Sequence, residues 1–176
     1  GQVCMAVKRV YAHADIHDAL VEALAKRARA IRVGPGTDPA TQMGPIQNRM
    51  QYEKVVALIR DLAPDNIVTG GTIPDGEGYF IPPTIVTGLP DDAPLVRDEQ
   101  FGPLLPILSY VDIDVAIRRA NATDFGLGSS VWTRDIAKGE QIAQQFEAGL
   151  SWVKRHGGKG RRVAFGGAEY SRYGRD

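Results

Sequence analysis

Apolar positions along the chain follow two spacings, and each spacing predicts a different secondary structure. Apolar residues three or four positions apart predict helices over 15–31, 46–62, 112–123 and 136–146. Shorter apolar runs, most of them bounded by glycine, proline or polar residues, predict strands over 9–12, 66–69, 104–111, 128–133 and 150–153, and 79–86 is expected to be extended. Strands that alternate with helices of this length predict an α/β fold, with a mostly parallel sheet and helices on both faces.

Glycine and proline mark the predicted loops and ends. The stretch 32–43 holds two glycines and two prolines, and the helix over 46–62 is expected to stop before Pro64, because a residue preceding proline disfavours the helical region. Residues 154–176 have no apolar periodicity, so we expect an α/β domain over 1–153 and a loop or arm over 154–176. Both ends of the sequence are expected to be interior points of a longer protein.

Composition restricts the class of protein. Lys and Arg total 21, Asp and Glu total 21, and the formal net charge is zero, which argues against nucleic acid or an anionic membrane as partner. No apolar run reaches the length of a membrane span and no secretory signal opens the chain, so we expect a cytoplasmic protein. One cysteine and three scattered histidines have no metal-ligand spacing, so no metal site is expected.

The lone cysteine, Cys4, is a buried apolar filler, a bystander or a nucleophile. Residues 4–7 predict a helical turn, and the unpaired N–H groups at a helix N-terminus would stabilise a thiolate. Gly1 would allow the backbone to approach a substrate closely. Residues 1–4 are equally compatible with a half-buried structural cysteine at Cys4.

A second candidate site lies at 98–103, directly before the predicted strand over 104–111. The carboxylate of Glu99 could accept hydrogen bonds from the vicinal hydroxyls of a sugar, and the ring of Phe101 could pack against a heterocycle. The alternative is a surface acid and a core phenylalanine at a turn.

The order of these motifs resembles the aldehyde dehydrogenase superfamily. The matching positions are Gly1, Gln2, Cys4 and Arg9, then Gly44-Pro45, the run 78–84, Glu99 to Pro103, Asn121, Gly126-Leu127, Ala148-Gly149, Trp152-Val153, Phe165 to Gly167, Ser171, Gly174 and Arg175. The resemblance covers the whole chain. It implies the family's α/β catalytic domain over 1–153.

The resemblance also implies a mechanism. The thiolate of Cys4 would attack an aldehyde, its backbone N–H would contribute to the oxyanion hole, and hydride would pass to NAD(P)+, leaving a thioester for water to hydrolyse. Glu99 matches the family's carboxylate that binds the nicotinamide ribose, and Phe101 matches the aromatic residue at the nicotinamide end. The implied partners are a small-molecule aldehyde, NAD or NADP, and further copies of the chain in a homo-oligomer.

The family's general base, its oxyanion-hole amide and its adenosine-binding strands lie upstream of the cysteine segment, and its oligomerisation strand follows the last motif. The chain is therefore interpreted as a C-terminal catalytic-domain fragment that lacks dehydrogenase activity by itself. The alternatives are a non-catalytic remnant, an oligomerising interaction module, or a residual thiol hydrolase. Four positions depart from the family pattern: Lys154 replaces asparagine, Ala164 proline, Glu169 lysine and Arg172 glycine.

Overall fold

A computed structural model describes residues 1–157, 166–169 and 171. The chain forms two compact units, Gly1–Tyr110 and Val111–Asp176. The division at residue 153 inferred from the sequence stays a prediction. Among the described residues, no helix is both long enough and apolar enough to cross a bilayer.

The first unit contains a four-stranded sheet. Its elements are β1 (Val10–His13), α1 (Ala14–Ala30), α2 (Arg49–Arg60), a short 3-10 turn (Pro64–Asn66), β2 (Ile67–Thr69), β3 (Thr84–Thr87), α3 (Pro94–Arg97) and β4 (Leu104–Tyr110). The strand order is β1-β4-β3-β2, with β1 and β3 parallel to β4 and β2 antiparallel to β3. The predicted mostly parallel sheet is confirmed.

Helices cover both faces of this sheet. Side chains alternate between the faces of a strand, so adjacent residues of β3 enter different cores. Ile85 packs with Val21 and Ala28 of α1. Val86 packs with the buried side chains of α2 and with Leu95 of α3. The predicted arrangement of helices on both faces is therefore confirmed.

Local capping explains where the helices begin and end. The Asn48 side chain accepts a hydrogen bond from the Gln51 N–H at 2.9 Å, which satisfies an unpaired donor at the start of α2. The predicted start at residue 46 was early, because the Ile46 N–H instead donates to the Tyr79 carbonyl at 2.8 Å. In α1, Asp15 lies in the first turn and two arginines lie in the last, which suits the helix dipole.

The second unit is built around a parallel strand-helix-strand motif. Its elements are α4 (Ile113–Asn121), β5 (Phe125–Gly126), β6 (Gly128–Val131), α5 (Ile136–Ala143), β7 (Leu150–Val153) and β8 (Ala168–Glu169). Strands β6 and β7 are parallel and α5 packs on both, while β5 pairs with β8 in an antiparallel arrangement.

The helix predicted to continue to Thr123 ends at Asn121. The side-chain amide of Asn121 binds the backbone of the segment after α5. Its Nδ2 donates to the Gln145 carbonyl at 2.8 Å, and its Oδ1 accepts from the Glu147 N–H at 3.1 Å. Four short elements of the described residues were not predicted: the three-residue 3-10 turn Pro64–Asn66, and α3, β5 and β8. They have three, four, two and two residues, too few to show a periodicity.

Candidate functional site

Cys4 lies in a single turn and its side chain is exposed. The turn is closed by the Ala6 N–H, which donates to the Val3 carbonyl at 2.8 Å, and the next element is the strand β1. A turn followed by a strand was predicted and is found, but no helix begins at Cys4, so helix amides do not stabilise its thiolate. Because the Cys4 side chain is exposed, the hypotheses of a buried apolar filler and of a half-buried structural cysteine are also wrong.

Gln2 anchors the cysteine segment to the chain before α2. Its Nε2 donates to the Pro45 carbonyl at 3.1 Å, and its Oε1 accepts from the Gln47 N–H at 2.8 Å. Both polar ends of one amide are thus used across more than 40 residues of sequence. The sequence did not reveal this role of Gln2, although Gln2 stands in the same motif as Cys4.

Glu99 and Phe101 lie on the loop between α3 and β4. The Glu99 side chain is exposed, Gln100 is buried, and Phe101 is half-buried. The exposed carboxylate can accept hydrogen bonds from a ligand, as the sequence argument required. The Glu99 backbone is fixed from α2, because Lys54 Nζ donates to its carbonyl at 2.5 Å.

Phe101 has a φ of 46°, in the left-handed region that residues with side chains rarely adopt. A second α2 side chain supports this conformation: Gln51 Nε2 donates to the Gln100 carbonyl at 2.7 Å and to the Phe101 carbonyl at 3.1 Å. Strained conformations of this kind persist only where the surroundings impose them, and they cluster at functional sites.

The structure brings the cysteine segment and the Glu99–Phe101 loop together. Gln100 Nε2 donates to the Lys8 carbonyl at 3.0 Å and to the Leu104 carbonyl at 2.8 Å. A side-chain carbon at position 1 would collide with the carbonyl oxygen of Gly102. The close approach that Gly1 permits is therefore to this loop within the unit, whereas the sequence argument assigned it to a substrate.

Two cations lie at the C-terminal end of α3, where carbonyl groups lack helical partners. Lys8 Nζ donates to the Val96 carbonyl at 2.7 Å, and Arg9 Nη1 donates to the same oxygen at 3.0 Å. The pKa of Lys8 is lowered from 10.5 to about 7, mainly by burial and also by the neighbouring Arg9, while Asp98 and Glu99 oppose the shift. The site thus contains an amine that titrates near neutral pH.

Asp98 is held beside Arg97. Arg97 Nε donates to Asp98 Oδ1 at 2.7 Å and Nη2 donates to Oδ2 at 3.1 Å, and this hydrogen bonding lowers the pKa of the carboxyl group. Asp98 is therefore committed to its arginine, whereas the neighbouring Glu99 presents an exposed carboxylate. Within the part of the chain that the structure describes, no cluster of His, Cys, Asp and Glu could hold a metal.

The departures near the C-terminus are partly visible. Lys154 has a φ of 56°, and Ser171 Oγ accepts from the Gly126 N–H at 2.7 Å. Glu169 belongs to β8, where it pairs with Phe125. Ala164 and Arg172 lie outside the described residues.

Known proteins share this sequence and fold. A profile of the aldehyde dehydrogenase family matches residues 1–176. Betaine aldehyde dehydrogenase of Brucella anthropi is 41% identical over 182 residues, covering 100% of this chain and 37% of the relative. Succinate-semialdehyde dehydrogenase [NADP(+)] of Mycolicibacterium paratuberculosis is 39% identical over 178 residues, covering 100% and 38%.

Solved structures agree. The NAD+ complex of an aldehyde dehydrogenase from Bacillus cereus superposes with a TM-score of 0.93 at 34% identity, covering 99% of this chain and 36% of that one. The Mycobacterium tuberculosis aldehyde dehydrogenase complexed with NAD+ gives 0.92 at 34% identity, covering 99% and 37%. The chain spans little more than a third of the length of these relatives. The whole chain matches the family in both sequence and fold, and it therefore belongs to the aldehyde dehydrogenase family.

Proposed function

We propose that this chain supplies the nucleophile and part of the cofactor site of an NAD(P)-dependent aldehyde dehydrogenase, with Cys4 as the catalytic residue and Glu99 and Phe101 as cofactor-binding residues. One observation carries the proposal. The segment with the exposed thiol and the loop with the exposed carboxylate are joined by Gln100, through the Lys8 and Leu104 carbonyls.

Cys4 performs the covalent steps. Its thiolate sulfur forms a bond to the aldehyde carbon, and the carbonyl electron pair moves onto oxygen, where the Cys4 N–H donates to the developing charge. Loss of hydride from that carbon would restore the carbonyl as a thioester, and NAD(P)+, when bound, would supply the oxidising equivalent for this loss. Water then displaces the sulfur, releasing the carboxylic acid and restoring the thiol.

Glu99 and Phe101 fit the nicotinamide end of the cofactor. A carboxylate accepts hydrogen bonds from the two ribose hydroxyls, and the exposed side chain of Glu99 is accessible for this. Phe101 offers an aromatic ring on a backbone that Gln51 holds in place. The relatives include one named for NADP(+) and structures with NAD+, and the proposal covers either cofactor for this chain.

Turnover requires more than these 176 residues. The relatives that carry the named activities are almost three times as long as the matched region, so we propose that the chain alone has no dehydrogenase turnover. An assay of the purified chain with short aldehydes and either cofactor should show no reduction of NAD(P)+. Reduction that disappears in Cys4→Ala would contradict this part of the proposal.

A transplanted segment tests the assignment directly. Residues 1–176 would replace the matching segment of the Brucella anthropi enzyme, to which they are 41% identical. The folded chimera should reduce NAD(P)+ with an aldehyde, and Cys4→Ala should abolish this. Glu99→Gln should raise the KM for the cofactor roughly tenfold, the loss expected for one charged hydrogen bond. A chimera that is equally active with Cys4→Ala would remove Cys4 from the mechanism.

An oligomerising role has its own supporting observation. Trp132 is 68% exposed and Ile136 is 44% exposed on the second unit, and burial of their apolar surface against another copy would favour association. Light scattering of the chain should therefore show a homo-oligomer, and Trp132→Ser should weaken it. A monodisperse monomer would argue against this role.

A thiol hydrolase activity requires alkylation of Cys4 faster than that of a free model thiol. A cytoplasmic location stays part of the proposal.

A further inference from the structure

The pairing of β1 with β4 does not extend to the two segments that meet at the site. Pairing of β1 with β4 begins at Val10 and Ile107, so the residues before Val10 and the loop before Leu104 lie beyond this ladder. The proposed nucleophile and cofactor-binding residues are all on these two stretches. Their relative position must therefore come from contacts outside the β1–β4 pairing.

Gln100 supplies one such contact. Gln100 is 3% exposed, and its Nε2 donates to the Lys8 carbonyl on the first stretch and to the Leu104 carbonyl at the start of β4. Because Gln100 lies between Glu99 and Phe101, any displacement of its amide moves both neighbours. The bond to the Lys8 carbonyl therefore links the loop directly to the backbone four residues after Cys4, and the bond to the Leu104 carbonyl ties the loop to the start of β4.

Lys8 and Arg9 supply the second contact. Both donate to the carbonyl of Val96 in α3, the helix that leads into the Glu99–Phe101 loop. Arg9 also lies over the ring of Tyr11, with 5.9 Å between its guanidinium carbon and the ring centroid. The Arg9 guanidinium is a charged donor, and hydrogen bonds from charged donors are stronger than neutral ones, so this end of the loop is firmly held.

We propose that Gln100, Lys8 and Arg9 are positioning residues, here called the polar clasp, which hold the Glu99–Phe101 loop in register with the Cys4 segment. The inference rests on the proposed function of Cys4, Glu99 and Phe101. The clasp touches neither substrate nor cofactor and acts through the backbone of the residues that do.

The Oε1 atom of Gln100 allows the positioning role to be distinguished from an effect on the stability of the whole fold. Within the described part of the chain, Gln100 Oε1 is buried without a hydrogen-bond partner. A buried polar atom without a partner destabilises a fold, so an apolar side chain here would lose two bonds and also remove that penalty. Replacement of Gln100 should therefore loosen the loop much more than it lowers the melting temperature.

A spin label on Cys4 tests the clasp in the full chain. The chain has one cysteine and its side chain is exposed, so a nitroxide can be attached without further substitutions. Gln100→Leu and Lys8→Met should each make the label more mobile in the electron paramagnetic resonance spectrum. Amide hydrogen exchange at residues 99–102 should accelerate about tenfold or more, as expected for losing one to two hydrogen bonds.

Matched controls remove the same chemical groups elsewhere. Gln141→Leu and Lys26→Met replace exposed residues on α5 and α1, and both should leave the label and the loop exchange unchanged. If Gln100→Leu does not fold, Gln100→Met keeps the volume and removes only the amide, and it decides the question together with Lys8→Met.

Equal label mobility in Gln100→Leu and Gln141→Leu would overturn the clasp, and so would exchange that accelerates equally throughout α1. Neither readout needs turnover. A loosened loop in a chimera whose Cys4 is dispensable would remove the proposed function alone. An unchanged loop in a Cys4-dependent chimera would remove the clasp alone.

Discussion

Phe101 and Lys154 share an unusual backbone and differ in what surrounds it. They are the non-glycine positions with positive φ among the described residues, at 46° and 56°. The Phe101 conformation is held by side chains from α2 and by the buried Gln100 beside it. Lys154 is exposed beyond the end of β7, and its N–H donates to the Val131 carbonyl at 2.8 Å.

The difference separates strain that the fold maintains from strain that a substitution adds. A left-handed non-glycine residue costs about 1–3 kcal/mol. Around Phe101 several side chains converge to keep that conformation, at the loop we assign to the cofactor. At Lys154 asparagine, the residue that the family resemblance leads us to expect, would adopt the same backbone more easily. The two positions should therefore respond oppositely to substitution.

We expect the largest effect when the free energy of unfolding is measured against pH and substitution of Lys8 is compared with substitution of Lys154. Burial lowers the pKa of Lys8 from 10.5 to about 7, so between these values the unfolded chain binds more protons than the folded chain. The free energy of unfolding should therefore gain a contribution from Lys8 as the pH rises from about 7 towards 10.5. Chemical denaturation at several pH values should show this slope in the natural chain and in Lys154→Met. A slope that persists unchanged in Lys8→Met would refute the assignment.

The second largest effect is expected when a side chain is added at Gly102, in the loop that contains Phe101. A Cβ at Gly102, next to Phe101, would lie 2.6 Å from Val55 Cγ2 on α2. Gly102→Ala should lower the free energy of unfolding by about 1–3 kcal/mol, typical of overpacking. In a urea titration, Gly102→Ala/Val55→Ala should lose less than the sum of the single variants. Strict additivity would mean that the two side chains do not collide.

Removing the support under Phe101 should have an intermediate effect. Gln51→Leu leaves the Gln100 and Phe101 carbonyls without their donor, and should cost about 1–2 kcal/mol. The exposed Gln141→Leu should stay within about 0.5 kcal/mol of the natural chain. Thermal unfolding of both variants checks this, and equal melting temperatures would show that Gln51 contributes nothing.

Substitution of Lys154 by asparagine should have the smallest effect, and it should stabilise the chain. Lys154→Asn should raise the free energy of unfolding by about 0.5–1 kcal/mol, because asparagine enters the left-handed region more readily. Lys154→Gln removes the same charge without that preference and should give no gain. Phe101→Asn should destabilise, since its half-buried ring is lost. A gain in Lys154→Gln equal to that in Lys154→Asn would assign the effect to charge.

The sequence predicted what depends on periodicity and missed what depends on distant carbonyl groups. The helix over 15–31 and the strand over 104–111 were found within a residue of their bounds, because each has enough residues to repeat a pattern. The turn at Cys4 was mistaken for a helix start, since four residues fit both. Gln100 bonds to a carbonyl 92 residues away, and no local pattern contains that information.

We infer that Cys4 and the Glu99–Phe101 loop form one catalytic site, and this claim can be tested by trapping an acyl group on the protein. The chimera carrying residues 1–176 would be mixed with an aldehyde and NAD(P)+, quenched in acid and digested for peptide mass analysis. We expect an acyl group on the peptide that contains Cys4, less of it in Glu99→Gln, and none without the cofactor. An acyl group on another residue, or turnover without any acylated Cys4, would contradict the claim.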